Sequence, residues 1–310
     1  LNTTPEPLTP SVLRARIDEA LPWARIEVRA RAATPLRLEA YAGSLLRSAV
    51  GRRLLDGLCA ERHRATCEGC PLVASCGFPP LMEPRALPPA EDGHPGVPPP
   101  GLVLMPPLDG SDRLAAGAPF EFSITAIGRR ASAGTLTALQ RAVWALEDEM
   151  GLGDDRGRLH IEEITVSRSP ASSRLTEGVA SPLAVTLLTP LSVKREKRIQ
   201  RQVSSNMLIW AIRHRLDVLA KAHGVVPLAL PDIGQFDPPP TLHDDETRWV
   251  SFPRYSRRQA KWMRLEGLVG RFALRGPLGL AAPLLEAAVA LHVGRKPLFG
   301  FGRLRLDGLE

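Results

Sequence analysis

The sequence predicts an α+β protein in which one βαββαβ unit occurs twice in tandem, with a glycine-rich loop before the last strand. Three observations lead there. Apolar residues recur at period two in short runs and at helical period in longer ones. Those runs follow one another as strand, helix, two strands, helix, strand, which is the ferredoxin-like (RRM-like) or split βαβ order. The same order is met again after a break near Arg168 to Pro182. The expected division is therefore a first domain over 1–170, carrying an insertion at about 59–107, and a second over 171–310.

From Arg25 to Arg31, charged residues alternate with Ile26, Val28 and Ala30, the pattern of a strand with one buried face. Leu38, Tyr41, Ala42, Leu45, Leu46, Ala49 and Val50 then fall at helical spacing, and a helix is expected from about Leu36 to Leu58 with Arg47 and Arg52 on its polar face. The stretch 79–107 holds 11 of the 30 prolines and leaves room only for a short strand at Leu102 to Met105. Phe120, Phe122 and Ile124 alternate with polar residues as the next strand. A helix follows through Leu136, Leu139, Val143, Leu146 and Met150, with Thr135 as the expected N-cap and Gly151 at its stop. Leu159 to Val166 closes the unit.

In the second half, Leu183 to Leu188 suits a buried strand. Leu208, Ile209, Ile212, Leu216 and Leu219 form a helix between a Ser204 or Ser205 cap and Gly224. A proline-rich loop, 227–240, precedes strands around Trp249 and over Leu265 to Leu274. The helix Leu280 to Val293 and a strand at Arg303 to Leu306 complete the order.

A net charge of +7 favours an anionic partner, nucleic acid first and a membrane surface second. The most apolar run, Leu278 to Val293, is broken by Pro283 and Glu286, so no membrane helix is expected. Charges at Arg14, Arg16, Asp18 and Glu19 argue against a signal peptide, and a cytoplasmic location is the simplest expectation.

The positive charge is concentrated. Lys194, Arg195, Lys197, Arg198, Arg201, Arg213 and Arg215 face a single acid, Glu196. Arg254, Arg257, Arg258, Lys261, Arg264, Arg271 and Arg275 face Glu266 alone, and Arg295, Lys296, Arg303 and Arg305 face none. Such clusters suit phosphate tracking, since each neutralised phosphate releases counterions, although solvated faces have the same composition. Aromatics make up only 5% of the chain, with no aromatic run of the RNP1 type. Backbone charge and stem shape, rather than stacking on an open sheet, are expected to carry binding.

Gly294, Gly300 and Gly302 lie in Gly-Arg-Lys-Pro-Leu-Phe-Gly-Phe-Gly-Arg between the last helix and last strand. Glycines there permit positive φ, so that backbone N–H groups can face a phosphate beside Arg295 and Lys296; equally, they could serve as a helix cap and a bulge. The segment is neither a Walker loop nor a dinucleotide fingerprint.

All four cysteines lie close together: Cys59, Cys67, Cys70 and Cys76, the middle pair as Cys-Glu-Gly-Cys. That spacing lets four thiolates, or three with His63, hold one structural zinc; free thiols are the other reading, and disulfides fit a cytoplasmic protein poorly. No recognition-helix motif accompanies the cysteines, which disfavours a zinc-containing DNA-binding protein.

Three segments together resemble the CRISPR-associated endoribonucleases of the RAMP superfamily that process precursor CRISPR RNA. They are LHVG followed by RKPLFGFGRLRL, YAGSLLRSAVGRRL before the cysteines, and RYSRRQAKWMRLEGLVG over Arg254 to Gly270; they lie in order over about residues 24 to 306. The resemblance implies binding of a CRISPR repeat hairpin. It also implies metal-independent cleavage in which the ribose 2′-OH attacks the adjacent phosphate, leaving a cyclic phosphate and a 5′-OH. Such chemistry needs a base, cations and an acid. Members often place a histidine just after the first helix, and His63 is the one found there, with Tyr41, Arg47, Arg52 and Arg64 near it in sequence. His292 and His214 are further candidates, each with an ordinary structural reading. A product-bound enzyme in an effector complex and a non-catalytic RNA-binding subunit of such a complex both fit these residues.

Overall fold

A computed structural model describes residues 8–38, 40–62, 64, 66–88, 97–108, 113–148, 151–153, 155–169, 175, 182–232, 234, 240–256 and 261–307. Its elements run α1 (Pro10–Ala20), β1 (Trp23–Ala32), β2 (Leu36–Arg37), α2 (Ala42–Leu58), α3 (Phe78–Met82), β3 (Leu102–Met105), β4 (Arg113–Leu114), β5 (Pro119–Ile127), α4 (Ala133–Trp144) and β6 (Leu159–Arg168). They continue β7 (Leu183–Leu191), β8 (Lys194–Arg195), β9 (Arg198–Ile199), α5 (Ser205–His223), β10 (Thr241–His243), β11 (Arg248–Ser256), β12 (Lys261–Arg275), α6 (Ala281–Leu291) and β13 (Leu304–Leu306).

Two antiparallel sheets result. In the first, the order is β3-β5-β1-β6, and Ile26, Val28 and Ala30 stand opposite Ile124, Phe122 and Phe120. Their common face is covered by α2 and α4 through Leu45, Leu46, Val50, Leu54, Leu136, Leu139 and Val143. The second sheet has the order β10-β12-β7-β13, with β11 also on β12. There α5 and α6 bury Leu208, Ile212, Leu216, Leu284, Leu285 and Leu291 against Val185, Leu187, Phe272 and Leu304.

Several expected boundaries shift. Leu36 and Arg37 pair with Leu114 and Arg113 as a small β-ladder, so the helix opens only at Ala42. The cap of α4 is Ser132, whose hydroxyl accepts from the Thr135 backbone N–H. Ser204 and Gly224 do bound α5. Helix α1 was not foreseen; its Leu13 and Ile17 join the core of the second half, and Arg14 grips Glu286 of α6 through two hydrogen bonds of 2.7 and 2.9 Å. No described helix is long and apolar enough to cross a membrane.

Two features position the site. Strand β7 pairs with β12 from Leu268 to Leu274, so Lys261–Gly267 and β11 run beyond it as a two-stranded ribbon. Between α6 and β13, the segment 292–303 turns back across the end of β7, with φ positive at His292, Gly294, Lys296, Gly300 and Gly302.

Candidate functional site

The N-terminus of α2, the ribbon and the segment before β13 meet in one place. Gly43 lies so close to the Phe299 carbonyl that any Cβ there would collide with it. Next to it, the Ser44 hydroxyl accepts a 2.8 Å hydrogen bond from Arg254 Nε of the ribbon. The guanidiniums of Arg254 and Arg47 lie 5.0 and 5.1 Å from the Phe299 ring centroid, so one aromatic ring holds two cations from different halves of the chain. Tyr41 packs against Phe252 of the ribbon (5.2 Å) and Phe301 (5.3 Å). Lys296 sits 5.4 Å over Phe301 and donates to the Arg264 carbonyl at 3.1 Å.

Charge states follow from burial. The Tyr41 phenol is pushed well above its ordinary range by burial, and its hydroxyl has no hydrogen-bond partner among the described residues. It therefore stays neutral, able to donate a hydrogen bond but not to act as a base. Burial, followed by Arg295 and Arg254, lowers the Lys296 ammonium; Glu266 opposes the shift. His292 is buried, its Nδ1 lies 3.0 Å from the Phe301 carbonyl oxygen, and burial first and Arg303 second hold it well below the usual imidazole range. It braces the segment as a neutral ring. His214 stacks flat on Trp210 at 5.2 Å, exposed on α5. His63, Arg257 and Arg258 lie outside the described residues.

The glycines act differently from the expected phosphate cradle. A Cβ on Gly294 would meet the Ser192 carbonyl oxygen at 2.5 Å, one on Gly300 the Leu104 carbonyl oxygen at 2.7 Å, and one on Gly302 would strike Val293. Several backbone N–H groups are spent internally: Arg295 donates to Ser192, Phe299 to Lys296, Gly300 to Pro297, Gly302 to Pro190 and Arg303 to the Thr189 hydroxyl. Close packing of the chain on itself, not amides aimed outward, explains these glycines.

The basic clusters separate into two kinds. Lys194, Arg195, Lys197 and Arg198 form an exposed hairpin (β8–β9) directly after Ser192, which accepts from the Arg295 N–H, so this hairpin and the glycine segment adjoin. Gly267 packs against Leu191, bringing the ribbon, with exposed Lys261 and Arg264, to the same end of the sheet. Arg195 lies over Trp210 and Arg201 over Trp249, at 5.5 and 5.1 Å. Other cations are buried or paired with acids. Arg215 is 5% exposed and lowered to about 10 by burial; Arg213 bonds Pro231 and Asp232; Arg271 and Arg275 pair with Glu246 and Asp244. Arg303, expected at the RNA, instead donates to the Val289 carbonyl at 2.8 Å, and burial lowers it to about 10.

Cys59, Cys67, Cys70 and Cys76 line one small cavity with Leu55, Phe78 and Glu83. Their thiols are free, and among the described residues no three His, Cys, Asp or Glu side chains are grouped to hold a metal ion. The spacing brings the four cysteines to one cavity. Cys67 is pushed up to about 11, first by burial, then by Glu83 and the other three cysteines. Nearby, Arg64 donates to the Gly69 carbonyl, bracing the loop, and Arg52 is exposed on α2.

Sequence reasoning missed Ser44, Phe252, Phe299 and Phe301 as parts of the site. Only Gly43, a glycine inside a helix, carried a local signal of close approach.

Comparison with known proteins bears on these features. The profile of the CRISPR-associated endoribonuclease Cas6 matches residues 185–304, and that of an N-terminal domain named AF_1859_N matches residues 21–184. No curated protein matches the chain significantly. Among solved structures, a Cas6 product complex superimposes with a TM-score of 0.55 at 14% identity, covering 92% of this chain and 99% of the other. A partial Cas6-RT-Cas1–Cas2 complex gives 0.54 at 12% identity over 94% of this chain and 47% of the other. The product of a Cas6-related gene from Pyrococcus furiosus gives 0.52 at 10% identity over 92% and 98%. At such identities the superpositions speak for the fold, whereas the sequence profiles speak for ancestry. The C-terminal part of the chain, residues 185–304, belongs to the Cas6 family of CRISPR-associated endoribonucleases.

Proposed function

We propose that this chain binds the hairpin of a CRISPR repeat transcript and cuts it without metal at the junction of α2, the ribbon and the glycine segment. Both halves are read as ferredoxin-like domains, over 1–170 and 171–310. The observation that carries the reading is the meeting of Arg47 and Arg254 on Phe299, beside Lys296 and Tyr41. In the step envisaged, a base takes the ribose 2′-OH proton and that oxygen attacks phosphorus. The bond to the 5′-oxygen then breaks and an acid protonates the leaving oxygen. Arg47 and Arg254 stabilise the phosphorane charge, neutral Tyr41 supplies a donor, and His63 is the candidate base. The exposed hairpin at 194–198, with Arg201, Lys261 and Arg295, tracks the stem phosphates. The product-bound enzyme then joins an effector complex.

A non-catalytic RNA-binding subunit is the second reading. It is favoured by one observation: His292, the histidine bonded to this segment, is buried and neutral. End-labelled repeat hairpin incubated with protein in EDTA separates the two. Cleavage leaving a cyclic phosphate, abolished by His63→Ala, supports the assignment; tight binding with intact RNA after hours overturns it in favour of the subunit.

A further inference from the structure

The ribbon has two faces with different fates. Phe252 and Arg254 point to α2 and lock the halves together, as described above. Tyr255 and Trp262, directly opposite each other across the two strands, lie on the other face with Pro253 and Arg264. Nothing among the described residues covers them. Trp262 is 72% exposed and Tyr255 46%, and their rings meet edge to face at 5.5 Å and 63°. In a chain with few aromatics, an exposed Trp–Tyr pair at the outer end of a ribbon exposes apolar area for no gain in folding.

Its surroundings indicate what covers it. The stretch 251–265 contains Arg254, Arg257, Arg258, Lys261 and Arg264 and no acid. An aromatic face within a mainly cationic ribbon, whose one acid is Glu266, is the combination that binds unpaired nucleic-acid strands, the charge following the backbone and the ring taking a base. The ribbon is also tied to the cleavage junction. Lys296 donates to the Arg264 carbonyl, and Trp262 lies only two residues, roughly 7 Å along a strand, from Arg264.

We propose that Trp262, held edge-on by Tyr255, is a stacking platform for one unpaired base flanking the repeat hairpin, close to the scissile phosphate. The proposal rests on the RNA reading above and adds to charge and stem shape a contact that senses single-stranded flanks.

The test measures equilibrium binding of Trp262→Ala, Trp262→Phe and the parent protein to a repeat hairpin with single-stranded flanks, and to versions with one flanking nucleotide made abasic. Because Trp262 is exposed, the variants are expected to melt with the parent. Trp262→Ala should bind the intact RNA about tenfold or more weakly. The salt slope should be unchanged, since no phosphate contact is lost, and Trp262→Phe should recover most of the affinity. At one abasic position the parent should weaken to the level of Trp262→Ala, and the substitution should then cost nothing more. Equal affinity of Trp262→Ala and parent for every RNA overturns the platform while leaving the RNA reading intact. So does a change confined to self-association or to binding of an acidic protein. Failure of the parent protein to bind the hairpin at all overturns both.

Discussion

Tyr41 shows how a single side chain separates stability from chemistry. Its hydroxyl is buried without a partner among the described residues, an arrangement that costs a protein about 1–3 kcal/mol. Tyr41→Phe is therefore expected to melt at or above the parent temperature, and to cleave repeat RNA about tenfold or more slowly through loss of the hydrogen bond its hydroxyl donates in the transition state. A variant that loses stability and keeps its rate would mean that the phenol is merely packing. Cys67 offers a second test at this scale. With its thiol pushed up to about 11 from 9.0, the thiolate fraction at pH 8 falls about a hundredfold. Alkylation of Cys67 in chelator-treated native protein should be slower by about that factor than in urea, as read by peptide mass spectrometry. Equal rates would contradict the burial. Neither property was legible in the sequence. Tyr41 at helical spacing read as core or catalyst, and only its contacts with Phe252 and Phe301, more than 200 residues away, decide its state.

At the scale of elements, legibility followed the range of the determining contacts. Strand β1 was readable because Ile26, Val28 and Ala30 all point one way, and α5 because Ser204 and Gly224 punctuate it. Helix α1 was missed since only Leu13, Ile17 and Ala20 of its residues are buried, within a charged run. The start of α2 was placed too early because Leu36 and Leu38 are apolar whether they lie in a helix or, as here, around a short ladder. For the glycine segment the residues were legible and their reason was not. Local sequence says that φ can be positive; only the fold says that Ser192, Val293 and Leu104 crowd the missing Cβ atoms. Gly43 belongs to the same logic. Gly43→Ala must push the Phe299 carbonyl away, so it should lower the melting temperature and slow cleavage together, with RNA affinity falling less than the rate. A Gly43→Ala protein of parental stability and rate would remove α2 from the site.

The whole molecule hangs on contacts between its halves, and some of these titrate. His223, at the end of α5, is buried, lies 2.8 Å from the Pro99 carbonyl oxygen and is held at about 4, chiefly by burial. Its folded value lies below the unfolded one near 6.5, so the unfolded chain binds the extra proton between those values. The corresponding stability is complete above about pH 6.5 and is lost as the pH falls toward 4, by at most about 3 kcal/mol. His292 acts in the same direction. Melting temperature should fall on acidification through this window, and His223→Gln should flatten the fall; an unchanged slope would show that His223 does not couple the halves. The tandem order of strands and helices was visible in the sequence, but the convergence of three distant segments on Phe299 was not, because Ser44 and Arg254 are 210 residues apart. That convergence is the central claim, and a double-mutant cycle on single-turnover cleavage in EDTA tests it most directly. Arg47→Ala and Arg254→Ala should each slow the reaction by about a hundredfold, and together by much less than the product of the two. Parental rates in both single variants, or strictly multiplicative losses, would contradict a shared site.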